Sequence, residues 1–255
     1  MTILSYDSTF EGLLTAVFEI YEYKYVDAVI TKSSLSQEAL FSEATLVITN
    51  KEKADRVLTR LEKQLGKNGI SQLLYAYSSE SETMEHIISN VIFYAISYPG
   101  KNILNDYSNP FVLQLSKLVK SVGREKHRME AFVRFELLKD NIYFAKINPD
   151  FNVLPLITAH FKERYQDQKW IIYDEKRKYG IYYDLNEITI ISLPDQKETF
   201  NQDKDVIFHE SEMSYQKLWI EYFDHTNIKE RKNTKLHLQH VPKRYWSYLT
   251  EKKKL

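Results

Sequence analysis

Cysteine is absent from all 255 residues. That absence removes disulfides, thiolate zinc sites, cysteine nucleophiles and cysteine-ligated iron–sulfur clusters together. Long apolar runs are missing too. The most apolar stretch, Ile87 to Tyr98, spans 12 residues and suits a buried helix, where a membrane span needs about 18 or more. Met1 to Gly12 lacks a basic segment followed by an apolar core, so no secretory leader is expected. A cytoplasmic location without a membrane partner is therefore the expectation. Net charge is lacking as well, with 35 Lys and Arg against 35 Asp and Glu, so isoelectric point does not mark a nucleic-acid binder. No Walker loop, GxGxxG, GxSxG, HExxH or zinc-deaminase pattern occurs, and no internal repeat. His237 and His240 are three apart and His160 and Glu163 share a helix face, but neither pair completes a ligand set. Neither a metal nor a cofactor is expected.

What is present is ordinary for a globular chain: 43% apolar and 27% charged residues. The length allows one large domain or two small ones and buries roughly 70–75% of the unfolded surface. The charge is unevenly placed. Residues 1–119 carry 10 basic and 14 acidic side chains, net −4; residues 120–184 carry 13 and 10, net +3. Residues 185–227 carry 3 and 9, net −6, and residues 228–255 carry 9 and 2, net +7.

Apolar spacing sets the expected elements. Ile3 to Tyr6 predicts a strand, and Leu13, Leu14, Val17, Phe18 and Tyr21 a helix capped by Ser8 or Thr9. A strand at Thr45–Thr49 precedes helices over 51–65, 70–77 and 83–97, with Gly66 and Gly69 bracketing a turn. Pro110 opens a helix that ends near Gly123. Strict alternation over Ala131–Leu137 and the apolar run Ile142–Ile147 then predict a hairpin around Lys139-Asp140-Asn141. A helix capped by Asn152 leads to a second hairpin, 169–174 with 179–184, and to a possible fifth strand at 187–192. Tyr215, Leu218, Trp219, Tyr222 and Phe223 mark a helix, and Pro242 opens a last short one through Leu249. The expected class is α+β: a helical N-terminal part, then a mainly antiparallel sheet covered by helices.

Two basic constellations could carry chemistry. Gly123-Arg124-Glu125-Lys126-His127-Arg128-Met129, read as a helix–strand junction, gathers guanidinium forks suited to phosphate oxygens. The alternative is a polar connection whose charges face water. The second runs from Lys229-Glu230-Arg231-Lys232-Asn233 through His240, Lys243, Arg244, Tyr245 and Trp246. Basic residues interleaved with amides and aromatics can hold a phosphate backbone and stack an unpaired base. The alternative is ordinary surface, with Tyr245 and Trp246 packing the final helix. The candidate nucleic-acid contacts are Arg124, His127, Arg128, Arg134, Lys229, Arg231, Lys232, Asn233, His240, Lys243 and Arg244. His127, Arg128, Arg134, Lys229, Arg231 and Asn233 are expected to line one concave surface. Aromatics on the second hairpin, Trp170, Tyr173, Tyr179, Tyr182 and Tyr183, read first as cross-strand packing, with a stacking platform for bases as the alternative.

Five blocks together carry a resemblance. They are Tyr6–Phe18 (YDSTFEGLLTAVF), Gly123–Phe135 (GREKHRMEAFVRF), Pro155–Tyr165, Asp174–Asp184, and Ile228–Asn233 with Gln239–Trp246. The sequence resembles an uncharacterised bacterial family whose members are described as DNA-metabolism or DNA-repair proteins. Ser8 stands where the family pattern has glycine, which disfavours a left-handed turn there. The resemblance implies a domain of unknown function over 83–250; residues 1–82 are expected to form an N-terminal strand-helix segment packed on the rest, and 251–255 a basic tail. It also implies DNA as a partner, and a radical-SAM protein whose cluster this cysteine-free chain cannot itself hold. Some members carry a fused uracil-DNA-glycosylase-like domain, which is not expected within these 255 residues. A DNA-binding accessory or recognition protein is the leading expectation. A repair enzyme in its own right (nuclease, glycosylase or lyase) and a protein-only scaffold are the alternatives.

Overall fold

A computed structural model describes residues 2–32, 44–192, 208–226 and 233–252. The chain divides into two compact units, Met1–Gly123 and Arg124–Leu255.

The first unit is built on three parallel strands in the order β2-β1-β3: β1 (Thr2–Tyr6), β2 (Ala28–Lys32) and β3 (Ala44–Leu46). Parallel neighbours need a crossover, and α1 (Phe10–Glu22) supplies the one between β1 and β2. Its residues Leu13, Leu14, Ala16 and Val17 are buried with Leu4 and Tyr6 of β1. Then come α2 (Lys51–Tyr77), α3 (Met84–Ser97) and α4 (Pro110–Phe132). Gly66 breaks α2 with φ 71°, a conformation open to glycine at little cost, whereas Gly69 lies inside the helix and is buried rather than closing a turn.

The β1–α1 connection is a polar latch. Asp7 accepts from the Thr9 N–H at 3.0 Å and the Thr9 hydroxyl at 2.7 Å, and from the Thr49 hydroxyl at 2.8 Å. The Thr9 hydroxyl oxygen in turn caps α1 by accepting from the Gly12 N–H. Ser8 does adopt the left-handed turn, at φ 61°, and its carbonyl accepts from the Tyr77 hydroxyl. The latch overrides the steric preference that argued against the turn. Burial alone would raise the Asp7 carboxyl, but the Thr9 and Thr49 hydrogen bonds outweigh it and hold the group below its ordinary 3.8. A depressed folded pKa stabilises above the unfolded value and is lost as pH falls through the folded one. Asp7→Asn is therefore expected to be less stable than the native chain at pH 7, with the gap narrowing as pH drops below 3.8. Urea melts at pH 7 and pH 3 measure this. A gap that stays constant would show that ionisation of Asp7 is immaterial.

The second unit holds one five-stranded sheet in the order β4-β5-β6-β7-β8. The strands are β4 (Glu136–Leu137), β5 (Tyr143–Ile147), β6 (Trp170–Asp174), β7 (Tyr179–Tyr183) and β8 (Ile188–Ile191). Three pairings are antiparallel and β5–β6 is parallel, joined through α5 (Leu154–Arg164). The architecture is α+β. Phe161, Trp170, Ile172, Tyr183 and Leu154 form part of its core, and Phe135 packs edge-on to Phe161 at 5.7 Å. The hairpin aromatics Trp170, Tyr173 and Tyr183 are buried, as cross-strand packing requires.

Three local expectations are corrected. The helix does not end near Gly123, and Gly123–Met129 is not a helix–strand junction: α4 runs on to Phe132. Val122, Glu125 and Met129 are buried at helical spacing, and that face outweighs the alternation of Ala131–Leu137, leaving β4 two residues long. Asn152 does not cap α5. Val153 occupies that position without a side-chain bond, and Asn152 Oδ1 accepts from the Tyr179 hydroxyl at 2.6 Å.

After β8 come α6 (Glu212–Thr226) and α7 (Thr234–His240), then 3₁₀ turns at Lys243–Tyr248 and Thr250–Lys252. Among the described residues no helix is long and apolar enough to cross a membrane.

Candidate functional site

The second unit gathers its basic blocks around two acceptors, Glu125 and Asp150. Helical spacing places Glu125 on the buried stripe of α4 between Val122 and Met129, and its side chain is 1% exposed. A carboxylate so placed needs partners, because a buried charge without them is costly. It has four. Its Oε2 accepts from Arg244 Nη2 at 2.7 Å and from the Tyr245 hydroxyl at 2.5 Å, with Arg128 Nη1 at 3.8 Å. Its Oε1 accepts from the Asp150 N–H at 3.0 Å.

Asp150 lies in the connection from β5 to α5 and pairs through Oδ2 with Arg244 Nη1. Its carbonyl accepts from Lys176 Nζ at 2.9 Å and Arg177 Nη2 at 3.1 Å. Those two cations belong to the β6–β7 turn, and Asp174 shapes it. Fully buried, Asp174 accepts from the Lys176 and Arg177 N–H groups at 2.9 and 3.1 Å and pairs with Arg177 Nη1 at 2.8 Å. Next to it, Glu175 accepts from the Tyr248 hydroxyl at 2.8 Å and faces Lys146 at 3.6 Å.

Burial and charge shift three groups of this network, Tyr245, Arg244 and Tyr248. Burial, reinforced by the bond to Glu125, pushes the Tyr245 phenol up to about 12, so it stays a donor. Burial also works to lower Arg244, but the Tyr245 hydroxyl and the Glu125 and Asp150 charges more than offset it and raise the group. Tyr248 is likewise pushed to about 12, by burial and by Glu175. Four cations (Arg128, Lys176, Arg177 and Arg244) thus meet three carboxylates (Glu125, Asp150 and Asp174) within one network. Arg128, Lys176 and Arg244 keep part of their surface open to solvent.

The remaining candidate residues are placed as follows. Arg124 and His127 are exposed on α4, with His127 Nδ1 3.9 Å from Glu130. Arg134 belongs to a separate clamp: its Nη2 reaches Glu251 at 3.0 Å, its Nη1 donates to the Ala131 and Val133 carbonyls, and its guanidinium lies over the Trp219 ring. Burial acts to raise Glu251, but the Trp219 indole N–H and Arg134 hold it below the usual carboxylate range. Asn233 caps α7 by accepting from the Leu236 N–H at 3.0 Å, His240 is exposed, and Lys243 lies 6.0 Å from the Trp246 ring centre. Lys229, Arg231 and Lys232 lie outside the described residues. Of the candidates, then, Arg128 and Arg244 are brought together, while Arg134 is drawn into another contact set. Among the described residues no group of three His, Asp or Glu side chains is arranged to hold a metal ion.

Sequence reasoning passed over Glu125, Asp150 and Asp174. For Glu125 the signal was present: an acidic residue on the apolar stripe of its helix. For Asp150 nothing local distinguished it.

Residues 82–251 match a domain of unknown function, DUF4130. No curated protein matches the chain.

Proposed function

The chain belongs to the DUF4130 family, and from that premise we propose that it is a DNA-binding accessory protein, working beside a radical-SAM protein in DNA repair or modification. The observation that carries the DNA half of this reading is the meeting of three sequence blocks, around residues 125–128, 174–177 and 244–248, at Glu125 and Asp150. Guanidinium groups held rigidly by buried carboxylates lose little freedom when a phosphate arrives, so preorganisation favours binding. The radical-SAM half rests on the family resemblance and on a chain without the thiolates such a cluster needs. Glu125 is closed off and saturated with protein donors, which suits a residue that holds the cluster more than one that reacts with a substrate.

Salt-dependent binding tests the reading. Arg128→Ala with Lys176→Ala removes two solvent-facing cations and leaves Glu125, Asp150 and Arg244 in place. Each lost phosphate contact lowers the log–log salt slope by about 0.7 for single strands or 0.9 for duplex, so the pair lowers it by roughly 1.4 or 1.8. Fluorescence anisotropy with labelled oligonucleotides between 50 and about 300 mM salt reads this. No measurable DNA binding by the native chain, or an unchanged slope and affinity in the variant, would reject the site.

A further inference from the structure

In the first unit an open cleft of about 600 Å³ lies where α1 ends and the chain turns toward β2. Ile20 and Tyr21 line it from the helix, Lys24, Tyr25 and Asp27 from the turn, and Phe93 from α3. Tyr21 is 65% exposed. Among the described residues, neither Tyr21 nor Phe93 packs on another ring, and Tyr25 meets only Tyr23, at 5.8 Å. Nor do the Lys24 ammonium and the Asp27 carboxylate have a hydrogen-bond or ion-pair partner among the described residues. Aromatic faces beside unpaired polar groups, in a concavity of this size, are the composition of a small-molecule site. The backbone adds a second observation. Lys24 and Asp27 stand at φ 53° and 55°. A left-handed residue just past a helix end helps to satisfy the last carbonyls, and here the Tyr25 N–H reaches the Ile20 carbonyl at 3.1 Å. Glycine adopts that conformation freely, whereas lysine does so at a cost in stability. The fold itself leaves the ammonium of this costly lysine unbonded, and strain of this kind collects at ligand sites.

We infer that this cleft binds a nucleoside monophosphate: its base against the aromatic rings, its phosphate on the Lys24 ammonium, and a ribose hydroxyl or base amine donating to Asp27. Each part of the lining selects part of the ligand. Every base has a π-face, and tyrosine and phenylalanine rings that touch no partner offer it a stacking surface. The two phenols, the ammonium and the carboxylate argue against a purely apolar guest such as an acyl chain. A cleft of about 600 Å³ is nucleotide-sized, larger than a lone ion or an amino acid needs. Lys24 is the one cation of the lining, set against Asp27 and against the partial negative charge at the end of α1. One phosphate can be matched there, and the added charge of a di- or triphosphate cannot. The inference concerns the first unit and goes beyond the DNA reading, which rests on the second.

The test is titration calorimetry of the full chain with AMP, adenosine, ribose 5-phosphate and choline. AMP is expected to bind with a dissociation constant below about 1 mM. Ribose 5-phosphate, which lacks the base, should bind at least about fivefold more weakly, the lower end of what one stacked base contributes. Tyr21→Ala should weaken AMP by a similar factor. Lys24→Gly should weaken AMP about two- to fivefold, the range of an exposed ion pair, and leave adenosine unchanged. Its melting temperature should hold or rise, because glycine relieves the left-handed backbone. A lysine that served only the fold would lower the melting temperature instead and leave AMP binding as it was. If Tyr21→Ala fails to fold, Lys24→Gly decides. AMP binding no tighter than that of ribose 5-phosphate overturns the inference, as does AMP binding unchanged in the variants. Choline bound in place of AMP overturns it too, since the rings would then form a cage for an organic cation. A 5′-phosphorylated single strand separates two sources of the same chemistry. Competition with AMP that survives Arg128→Ala with Lys176→Ala assigns the cleft to a strand end, and no competition assigns it to the free nucleotide. Failure of the salt-slope test above would leave AMP binding untouched, so the two readings fail separately.

Discussion

Glu125→Ala is expected to destabilise the second unit by about 3–5 kcal/mol, the usual cost of removing one partner from a buried ion pair. The carboxylate is 1% exposed and receives the Arg244 guanidinium, the Tyr245 hydroxyl and the Asp150 N–H. Alanine strands all three donors and leaves a cavity that water reaches poorly. At roughly 2–4 °C per kcal/mol for a chain of this size, the melting temperature should fall by about 6–20 °C. Glu125→Gln should fall between the native chain and the alanine variant. Its single carbonyl can serve either the Asp150 N–H or the Arg244 and Tyr245 side, and its amide turns donors toward donors on the other. Arg244 is 40% exposed, so Arg244→Ala alone should cost less, and the double variant should cost less than the two singles combined, because they share one interaction. Thermal melts followed by circular dichroism check all four chains. An alanine variant that melts within about 2 °C of the native protein would mean that Glu125 does not organise the cluster.

Gly12→Ala is the second large effect, and its sign runs against helix propensity. Inside a helix, alanine normally beats glycine by up to about 1 kcal/mol. Here an added Cβ would lie 2.3 Å from Asp7 Oδ1, 2.8 Å from Thr49 Oγ1 and 3.0 Å from Thr9 Oγ1. The latch between β1, β3 and α1 closes directly over this position, so the methyl group must push it open. Overpacking of this kind costs about 1–3 kcal/mol. Gly123→Ala is the matched control: its Cβ would meet only Tyr75 Cε1 at 3.7 Å, an ordinary contact, so that variant should be as stable as the native chain or slightly more. Adding Asp7→Ala to Gly12→Ala should cost less than the same change in the native background, since the clash then has one partner fewer. A Gly12→Ala protein more stable than the native one in urea would show that the latch yields easily.

The latch and the Glu125 cluster differ in how much of each can be read from the residues alone. Thr9 as a helix cap, the strand feeding α1, the hairpin turn at Lys139-Asp140-Asn141 and the aromatic pairing of β6 with β7 all follow from local patterns. Each rests on contacts between residues close in the chain. Ser8 was misread because its neighbour's carboxylate, and a hydroxyl 42 residues from that carboxylate, stabilise a backbone conformation that serine alone disfavours. The α4 boundary was misread because alternation at Ala131–Leu137 competes with helical spacing at Val122, Glu125 and Met129, and only burial decides between two periods in one segment.

What the sequence determined by itself is the class of the fold, the order of most elements, and the chemistry it cannot perform without a single thiol. Composition and periodicity suffice for those, because they depend on residue type and near neighbours. What only the tertiary structure decided is how the charges are used. Arg128, Lys176, Arg177 and Arg244 come from three separate elements and meet at Glu125 and Asp150, while Arg134, in the same sequence block as Arg128, turns to Glu251 and Trp219. The reason is physical: an ion pair depends on a separation of a few ångströms, and partners such as Glu125 and Arg244 lie 119 residues apart along the chain. The same holds for α6, whose apolar spacing predicts a helix but not which way its stripe faces. That direction was set by Glu212, Gln216 and Trp219, which anchor the helix through hydrogen bonds and leave Tyr215, Leu218 and Tyr222 outside.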